Sequence, residues 1–401
     1  MPQFTFLPQW PFPANSLALF GGLLLAGILG GELTKRVFRL PRITGYVLVG
    51  MVLGAEGVKL LDDKLIGEAW IFVDIALGIV LFELGRRLDL GWFRRDPWLL
   101  ATGLAESALA FACIYFALVY FDVKPLYAAV AAAVGISTSP AVVMLVAQEL
   151  KAEGQVTERA LHLTALNSAI AFVLVTILHS GIHQEYRAGW THALLHPLYL
   201  LSGSLLIGLF ASLLALALSR WLGKHQDLQY MVLLGLVVAM VGVSHMLALS
   251  APLSLLAFGV LVRHLDARHD LNSVDMGRVG QPFFVVLFVV TGANLAPSEL
   301  ATGGALALVY ILARFVGKAV GVMSLTHFSG VRPGAAGLLT IALMPMSSLA
   351  LAMVQGTVNL YPEFGAKLAA IVLSAVLILE IIGPLAVQFA LRRAGDAEQK
   401  Q

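Results

Sequence analysis

The chain has 401 residues, 59% of them hydrophobic and only 12% charged, with a formal net charge of +2. Soluble domains average about 25% charged residues, so this composition excludes an ordinary soluble globular domain and predicts an integral, all-α membrane protein. Cys113 is the single cysteine, which excludes an intrachain disulfide.

A helix that crosses a bilayer needs about 20 mostly apolar residues. The opening MPQFTFLPQWPFPANS carries no Lys or Arg, unlike the basic start of a secretory signal, so the first apolar run, 14–33, reads as a retained span. Further runs follow at 40–58, 65–85, 97–121, 125–148, 157–180, 192–219, 227–246, 249–265, 277–295, 300–324, 333–356 and 364–391, which predicts thirteen transmembrane helices. With the N-terminus outside, the clusters Lys35, Arg36, Arg39, Arg42 and Arg86, Arg87, Arg94, Arg95 fall on the inner side. The outer loops then hold only the scattered Lys59, Lys64, Lys124, Arg187 and Lys367. Basic residues concentrate in cytoplasmic loops, so the C-terminus is expected in the cytoplasm and the chain in a bacterial inner (plasma) membrane.

An odd number of spans permits six, a linker, and six more in inverted orientation. The whole chain, 1–401, then reads as one transmembrane transporter domain: 14–180 as a first repeat, 192–219 as a linker helix and 227–391 as the inverted second repeat. Inverted repeats with interrupted helices in matching positions are a ground plan of secondary transporters. The fifth span of each half carries such an interruption, GISTSP (135–140) in one and MPMSS (344–348) in the other. Pro140 and Pro345 each remove a backbone donor and clash with the preceding turn, and each can start a new half-helix. Two crossed broken helices are therefore expected. Simple proline kinks are the plainer alternative, since Pro is frequent in membrane helices.

Backbone opened inside a bilayer must be satisfied by protein or water. Ser137, Thr138, Ser139, Ser347 and Ser348 are placed to do so and to contribute to an ion site at the breaks. Asn167 and Ser168 stand together in the middle of the sixth span and can reach the same level. Lys318, in ILARFVGKAVGVM, is costly at a helix centre, about 2.5–3.5 kcal/mol on insertion scales, and is expected to face the bundle interior. Arg314 lies one turn earlier. Glu106, Asp74 and Glu380 are mid-span carboxylates, each a proton-carrier candidate by the same cost. Glu83 can pair with Arg87 at i,i+4, a structural role.

These residues resemble the monovalent cation:proton antiporter superfamily, the sodium/proton exchangers and potassium-efflux-type systems. LPRITGYVLVGMVLG (40–54), GANLAPSEL (292–300), ARFVGKAVG (313–321) and LEIIGP (379–384) are similar to its helix signatures, in the same order over 16–393. The resemblance implies a homodimer whose protomers each have a scaffold and a moving core. Sodium or potassium and protons would compete for one carboxylate, with elevator-like alternating access. Lys318 matches the family's basic residue in the eleventh span, and LTALNSAIAFVL (163–174) matches the stretch that carries Asp-Asp or Asn-Asp. Position 168 departs from that pattern: it is Ser where the family has its ion-binding Asp. GRRLD (85–89) and PMSS (345–348) depart from it as well.

The expected function is secondary active exchange of Na+ or K+ for H+, with an atypical Asn-Ser pair at the site. The neutral-to-positive residue set keeps two alternatives open: a carrier of an anion or small anionic solute, with Lys318 facing helix N-termini, or a non-transporting membrane sensor. No P-loop, HExxH or nucleophile elbow occurs in the sequence, so neither an enzyme nor a cofactor is expected. The expected partners are the transported ion, the proton, lipid and a second copy of the chain, with no nucleic acid. The short tail RRAGDAEQKQ leads to the expectation of no soluble regulatory domain.

Overall fold

The computed structural model describes residues 15–397 apart from 55, 62, 187–189, 224, 267–270, 272–275, 296, 327, 347–348, 352, 355–356 and 358–361. Among the described residues all regular structure is helical. Helix α1 (Ser16–Leu33) starts where the Asn15 side chain accepts from the backbone N–H of Leu17, 2.8 Å, and of Ala18. It ends through a π-turn at Thr34–Phe38 and a left-handed Arg39. Next come α2 (Arg42–Leu53), α3 (Asp63–Arg87) and the short α4 (Leu90–Arg95). Helix α5 (Pro97–Tyr120) has Asp96 as its N-cap and Pro97 in its first turn, the position where a missing N–H costs nothing.

The fifth predicted run is two helices, α6 (Pro125–Ile136) and α7 (Pro140–Leu150), with extended backbone between them. Then follow α8 (Gln155–Tyr186), α9 (Trp190–Leu222), α10 (Gln226–Met246), α11 (Ala251–Leu265) and α12 (Met276–Ala293). Helix α13 (Pro297–Ser324) is kinked at Gly304, whose φ of 31° suits glycine, and its apolar stretch extends over Gly303–Ser324. Helix α14 (Pro333–Ala342) stops short, and helical backbone resumes at 349. Helix α15 (Pro362–Ala394) closes the fold.

Nine of the described stretches are long and apolar enough to cross a membrane. Four predicted spans are shorter than their apolar runs. Arg42–Leu53, for example, is 12 residues, about 18 Å of helix against a hydrocarbon layer of about 30 Å. The run 40–58 overshoots because the residues up to Val58 lie in a turn beyond Leu53 rather than in the helix.

Burial orders these elements. The interrupted Pro125–Leu150 stretch is 89% buried in its most apolar window, whereas that of α1 is 22% buried. The broken helix therefore forms the centre, and α1, α9 and α10 present exposed leucines such as Leu25, Leu29, Leu205 and Leu206 to the surroundings, as lipid-facing helices do. Around the centre, α13 lies along α5 and α15, with α15 also against α14 and α7. A second set, α2, α3, α9, α11 and α12, packs mutually beside it. Glu83 pairs with Arg87 at 3.6 Å and with Arg86 at 3.7 Å, at the end of α3.

The α5–α13 contact is backbone on backbone. A Cβ at Gly317 would lie 2.5 Å from Ala110 Cα, and one at Gly321 would lie 2.4 Å from Glu106 Cα. These two glycines form a small-xxx-small face of the type that lets membrane helices approach closely. Gly321→Leu is thus expected to push α13 off α5 and lower the melting temperature of the purified protein. Gly21→Leu, on open α1 with no atom within 4 Å of the new Cβ, should leave it unchanged. Fluorescence-detected size exclusion after a heating series reads both.

Candidate functional site

Two chain breaks meet at the centre. In the first, α6 ends at Ile136 and Ser137–Ser139 run extended. Ser139 then caps α7, its Oγ accepting from Val142 N at 3.3 Å with Pro140 in the first turn. In the second, α14 gives way to non-helical backbone at 344–346, around Pro345. The breaks touch directly: Ser139 N donates to Pro345 O at 3.0 Å, and Thr138 Oγ1 donates to Leu343 O at 3.2 Å. Pro140 and Pro345 thus lie at a true crossing. Ser347 and Ser348 lie outside the described residues.

A helix end leaves carbonyl oxygens without partners. At this crossing they converge on Arg314. Its Nε donates to Gly135 O (2.8 Å), Nη1 to Met344 O (2.7 Å), and Nη2 to Ser137 O (2.8 Å) with longer bonds to Leu343 O and Pro345 O (3.3 Å each). One guanidinium therefore holds the carbonyl ends of both breaks. The planar five-donor fork of Arg suits this and the single ammonium of Lys does not. Tyr310, Arg314 and Lys318 are spaced i,i+4 and line one face of α13; Tyr310 OH donates to Ala131 O on α6 at 3.1 Å.

Lys318 sits one turn beyond Arg314, with no solvent exposure. It is bonded to Glu106 of α5, and Nζ also donates to Ile136 O (2.9 Å) and Thr138 Oγ1 (3.2 Å). Glu106 is equally buried, and its other oxygen accepts from Ser107 Oγ at 3.3 Å. The expectation that Lys318 faces helix N-termini is corrected here. It faces the carbonyl, partly negative end of α6, and a carboxylate already neutralises it.

Asn167 and Ser168 reach the crossing and grip one residue. Thr138 N donates to Asn167 Oδ1 at 3.2 Å, and Asn167 Nδ2 donates to Thr138 Oγ1 at 2.9 Å. Ser168 Oγ donates to Thr138 O at 3.2 Å. A carboxylate in place of either side chain has no proton to donate, so this clamp requires an amide and a hydroxyl. Ser137 Oγ turns back to Val134 O at 2.8 Å and closes the end of α6.

The proton-carrier candidates separate. Glu106 is in the crossing. Glu380 is fully buried on α15, and neither carboxylate oxygen has a hydrogen-bond partner among the described residues. Asp74 is elsewhere: its side chain is 33% exposed and lies 3.7 Å from His245 of α10. Mid-span position marked it as costly, but position along a helix does not say which side faces the interior. Arg314 is the residue that sequence reasoning left outside the site. Its signal was an arginine one helical turn from a buried lysine on the same face.

A cavity of about 600 Å³ opens between α1, α2, α12 and the far end of α7. Glu32, Arg42, Gln148 and Glu149 are among its walls, and Leu145 is the wall residue nearest Pro140 along α7. Across it Lys35 Nζ bonds Glu149 at 2.7 Å, and Glu32 pairs with Arg42. Asn167, Ser168, Lys318 and Glu106 are sealed from it in this conformation.

Comparison with known proteins agrees with this architecture. A structure of the sodium proton antiporter MjNhaP1 from Methanocaldococcus jannaschii at pH 8 superposes with a TM-score of 0.72 at 13% identity, covering 95% of this chain and 97% of that one. An electron-microscopy structure of the same antiporter gives 0.70 at 14% identity, covering 96% and 99%. At such identities the likeness is one of fold. No curated protein matches in sequence. The family model for the transmembrane region of sodium/hydrogen exchangers matches residues 20–393, nearly the whole chain, and the chain therefore belongs to the sodium/hydrogen exchanger family.

Proposed function

We propose that the protein is a secondary active antiporter that carries Na+ or K+ one way and H+ the other by alternating access, with exchange taking place at the crossing. The observation that supports this most is the buried Lys318–Glu106 pair beside the open end of α6. Removing one member of such a pair leaves an uncompensated charge, at a cost of about 3–5 kcal/mol. Whatever parts the two must therefore supply a substitute cation. When Na+ or K+ reaches Glu106 it takes the place of the ammonium. An N–H bond of Lys318 breaks, the electron pair stays on Nζ, and the proton leaves to water. One cation has entered, one proton has left, and the buried charge is unchanged. The uncharged ligands for that cation are oxygens that now accept hydrogen bonds within the site: Thr138 Oγ1 and the Ile136 carbonyl, both from Lys318, and Asn167 Oδ1, from Thr138 N. Ser168 and Ser139 hold the segment that presents them, and Ser137, Ser347 and Ser348 belong to the same proposed site.

Access fits the same reading. Leu145, in the cavity wall, stands five positions along α7 from Pro140 at the crossing, about 8 Å of helix. A shift of the crossing against α2, α3 and α12, elevator-like, would join the two. The proposed layout has thirteen crossings with inverted halves 14–180 and 227–391 about a linker helix 192–219, an outer N-terminus, a cytoplasmic C-terminus, a bacterial plasma membrane and a homodimer. Anion carriage loses its support at Lys318, whose charge is already matched by Glu106.

The test is flux in vesicles of the purified protein, with internal pH followed while Na+, K+ and Cl− gradients are imposed in turn. A Na+ or K+ gradient is expected to move protons and a chloride gradient is not. If neither cation moves protons, the exchanger reading fails and the sensor reading replaces it. Lys318→Gln and Glu106→Gln are each expected to lower that flux more than about tenfold, a loss of about 1.4 kcal/mol or more. Each should also destabilise the fold by about 3–5 kcal/mol, and the double replacement Lys318→Met with Glu106→Leu should recover most of that stability but none of the flux. Arg314→Lys keeps the charge and loses the fork, so its melting temperature should fall, because the carbonyl ends of both breaks lose partners.

A further inference from the structure

We infer that Glu380 is a second proton-binding site of the core, protonated in the closed, cation-free core and deprotonated once a cation has entered. Glu380 interrupts a stripe of fully buried small and aliphatic residues on one face of α15: Val372, Val376, Gly383 and Val387. The spacing keeps these on one side of the helix. That side meets the second chain break, since a Cβ at Gly383 would lie 3.0 Å from Pro345 Cα. A valine or leucine at 380 would complete the stripe at no electrostatic cost. A carboxyl there needs a reason beyond packing.

The other buried acids among the described residues have partners: Glu106 has Lys318, Glu83 has Arg86 and Arg87, and Asp266 accepts from Leu271 N at 2.9 Å. Glu380 has both oxygens buried and no hydrogen-bond partner among the described residues. The cationic groups on the helices packed against α15 are engaged elsewhere. On α13, Arg314 serves the carbonyl ends and Lys318 serves Glu106. On α2, Arg42 pairs with Glu32; on α8, Arg159 pairs with Asp96 at 2.6 Å and His162 Nδ1 lies 2.8 Å from Glu158 O. On α7, Glu149 is held by Lys35; on α13, the Tyr310 hydroxyl donates to Ala131 O. A carboxylate left charged among these helices would lack both water and a counter-ion, which a buried charge does not tolerate. A proton on one oxygen removes the charge.

Helix α15 rests on α13, α14 and α7, the elements that make the crossing. An opening that lets a cation reach the crossing also admits water to this face. The O–H bond of Glu380 then breaks, the electron pair remains on the carboxylate, and the proton leaves. Together with the proton from Lys318, each cation would be exchanged for two protons, and each cycle would move one net charge. The release step rests on the exchanger reading; the proton on Glu380 in the closed core does not.

Infrared difference spectra of the full chain in lipid, recorded on switching Na+ or K+ in and out, test the inference. Wild type is expected to show a protonated-carboxyl band that fades with the cation, vanishes in Glu380→Gln and changes position in Glu380→Asp. An unaltered band in both variants, or one indifferent to both cations, overturns the inference. In vesicles, an imposed membrane potential should speed cation-driven proton movement by wild type and leave that of Glu380→Gln unaffected; equal sensitivity of the two also overturns it. If wild type moves no protons at all, the exchanger reading fails, while a band lost in Glu380→Gln still establishes the proton site. If Glu380→Gln does not elute as a folded protein, Glu380→Asp carries the comparison.

Discussion

Helix α6 stops at Ile136 and α14 stops at Ala342, and the carbonyl oxygens left over by both end up within reach of a single guanidinium. Inside a bilayer such oxygens have no water to turn to. Without Arg314 the two breaks would be unsatisfied ends facing each other, and the helices would gain by running on or drawing apart. The bonds of Arg314 to Gly135, Ser137 and Met344 thus permit every other feature of the centre. They free Thr138 to stand extended between Asn167, Ser168 and Lys318, and they let Ser139 begin a new helix against Pro345.

The same constraint explains why neither Asn167 nor Ser168 is an acid. Thr138 offers one N–H, one carbonyl and one hydroxyl, and the two side chains meet all three by combining donors with an acceptor. An aspartate at 168 would set oxygen against the oxygen of the Thr138 carbonyl. The negative charge at the site comes instead from a different helix, as Glu106 of α5, delivered to Lys318 because Gly317 and Gly321 allow the two backbones to touch. Sodium/hydrogen exchange needs a place where a cation and a proton can replace one another. In this chain the buried acid at the crossing belongs to a lysine–glutamate pair and not to an aspartate beside an asparagine.

Much of this was legible in the sequence. Pro140 and Pro345, each beside hydroxyl residues in a long apolar run, announced the breaks, because proline cannot continue a helix and hydroxyls satisfy what it exposes. Lys318 and Glu106 announced themselves by the cost of their charges. The polarity of the meeting was not legible, since a sequence shows that a helix is broken but not which of its ends faces a given lysine. Arg314 was hidden for a related reason: it stands in the middle of its apolar stretch, but a sequence does not show which carbonyl oxygens a buried guanidinium meets. The pairing of Lys318 with Glu106 had a visible cue in GKAVG, whose glycines flank the lysine, but the partner helix is separated from it by about two hundred residues of chain. Asp74 shows the converse, a charge at mid-span that lies at the rim beside His245.

The grip of one arginine on two separate strands of chain has a mechanical consequence. Neither interruption can loosen alone, because each shares its fastening with the other. Any rearrangement that uncovers the centre from one side must therefore carry the knot intact, and the sliding seam has to run around it, along the faces that α7 and α15 turn toward α2 and α3. The protein would then keep its central knot tied through the whole journey and place slippage at the seam around it, where the bond between Lys35 and Glu149 is the fastening that has to part.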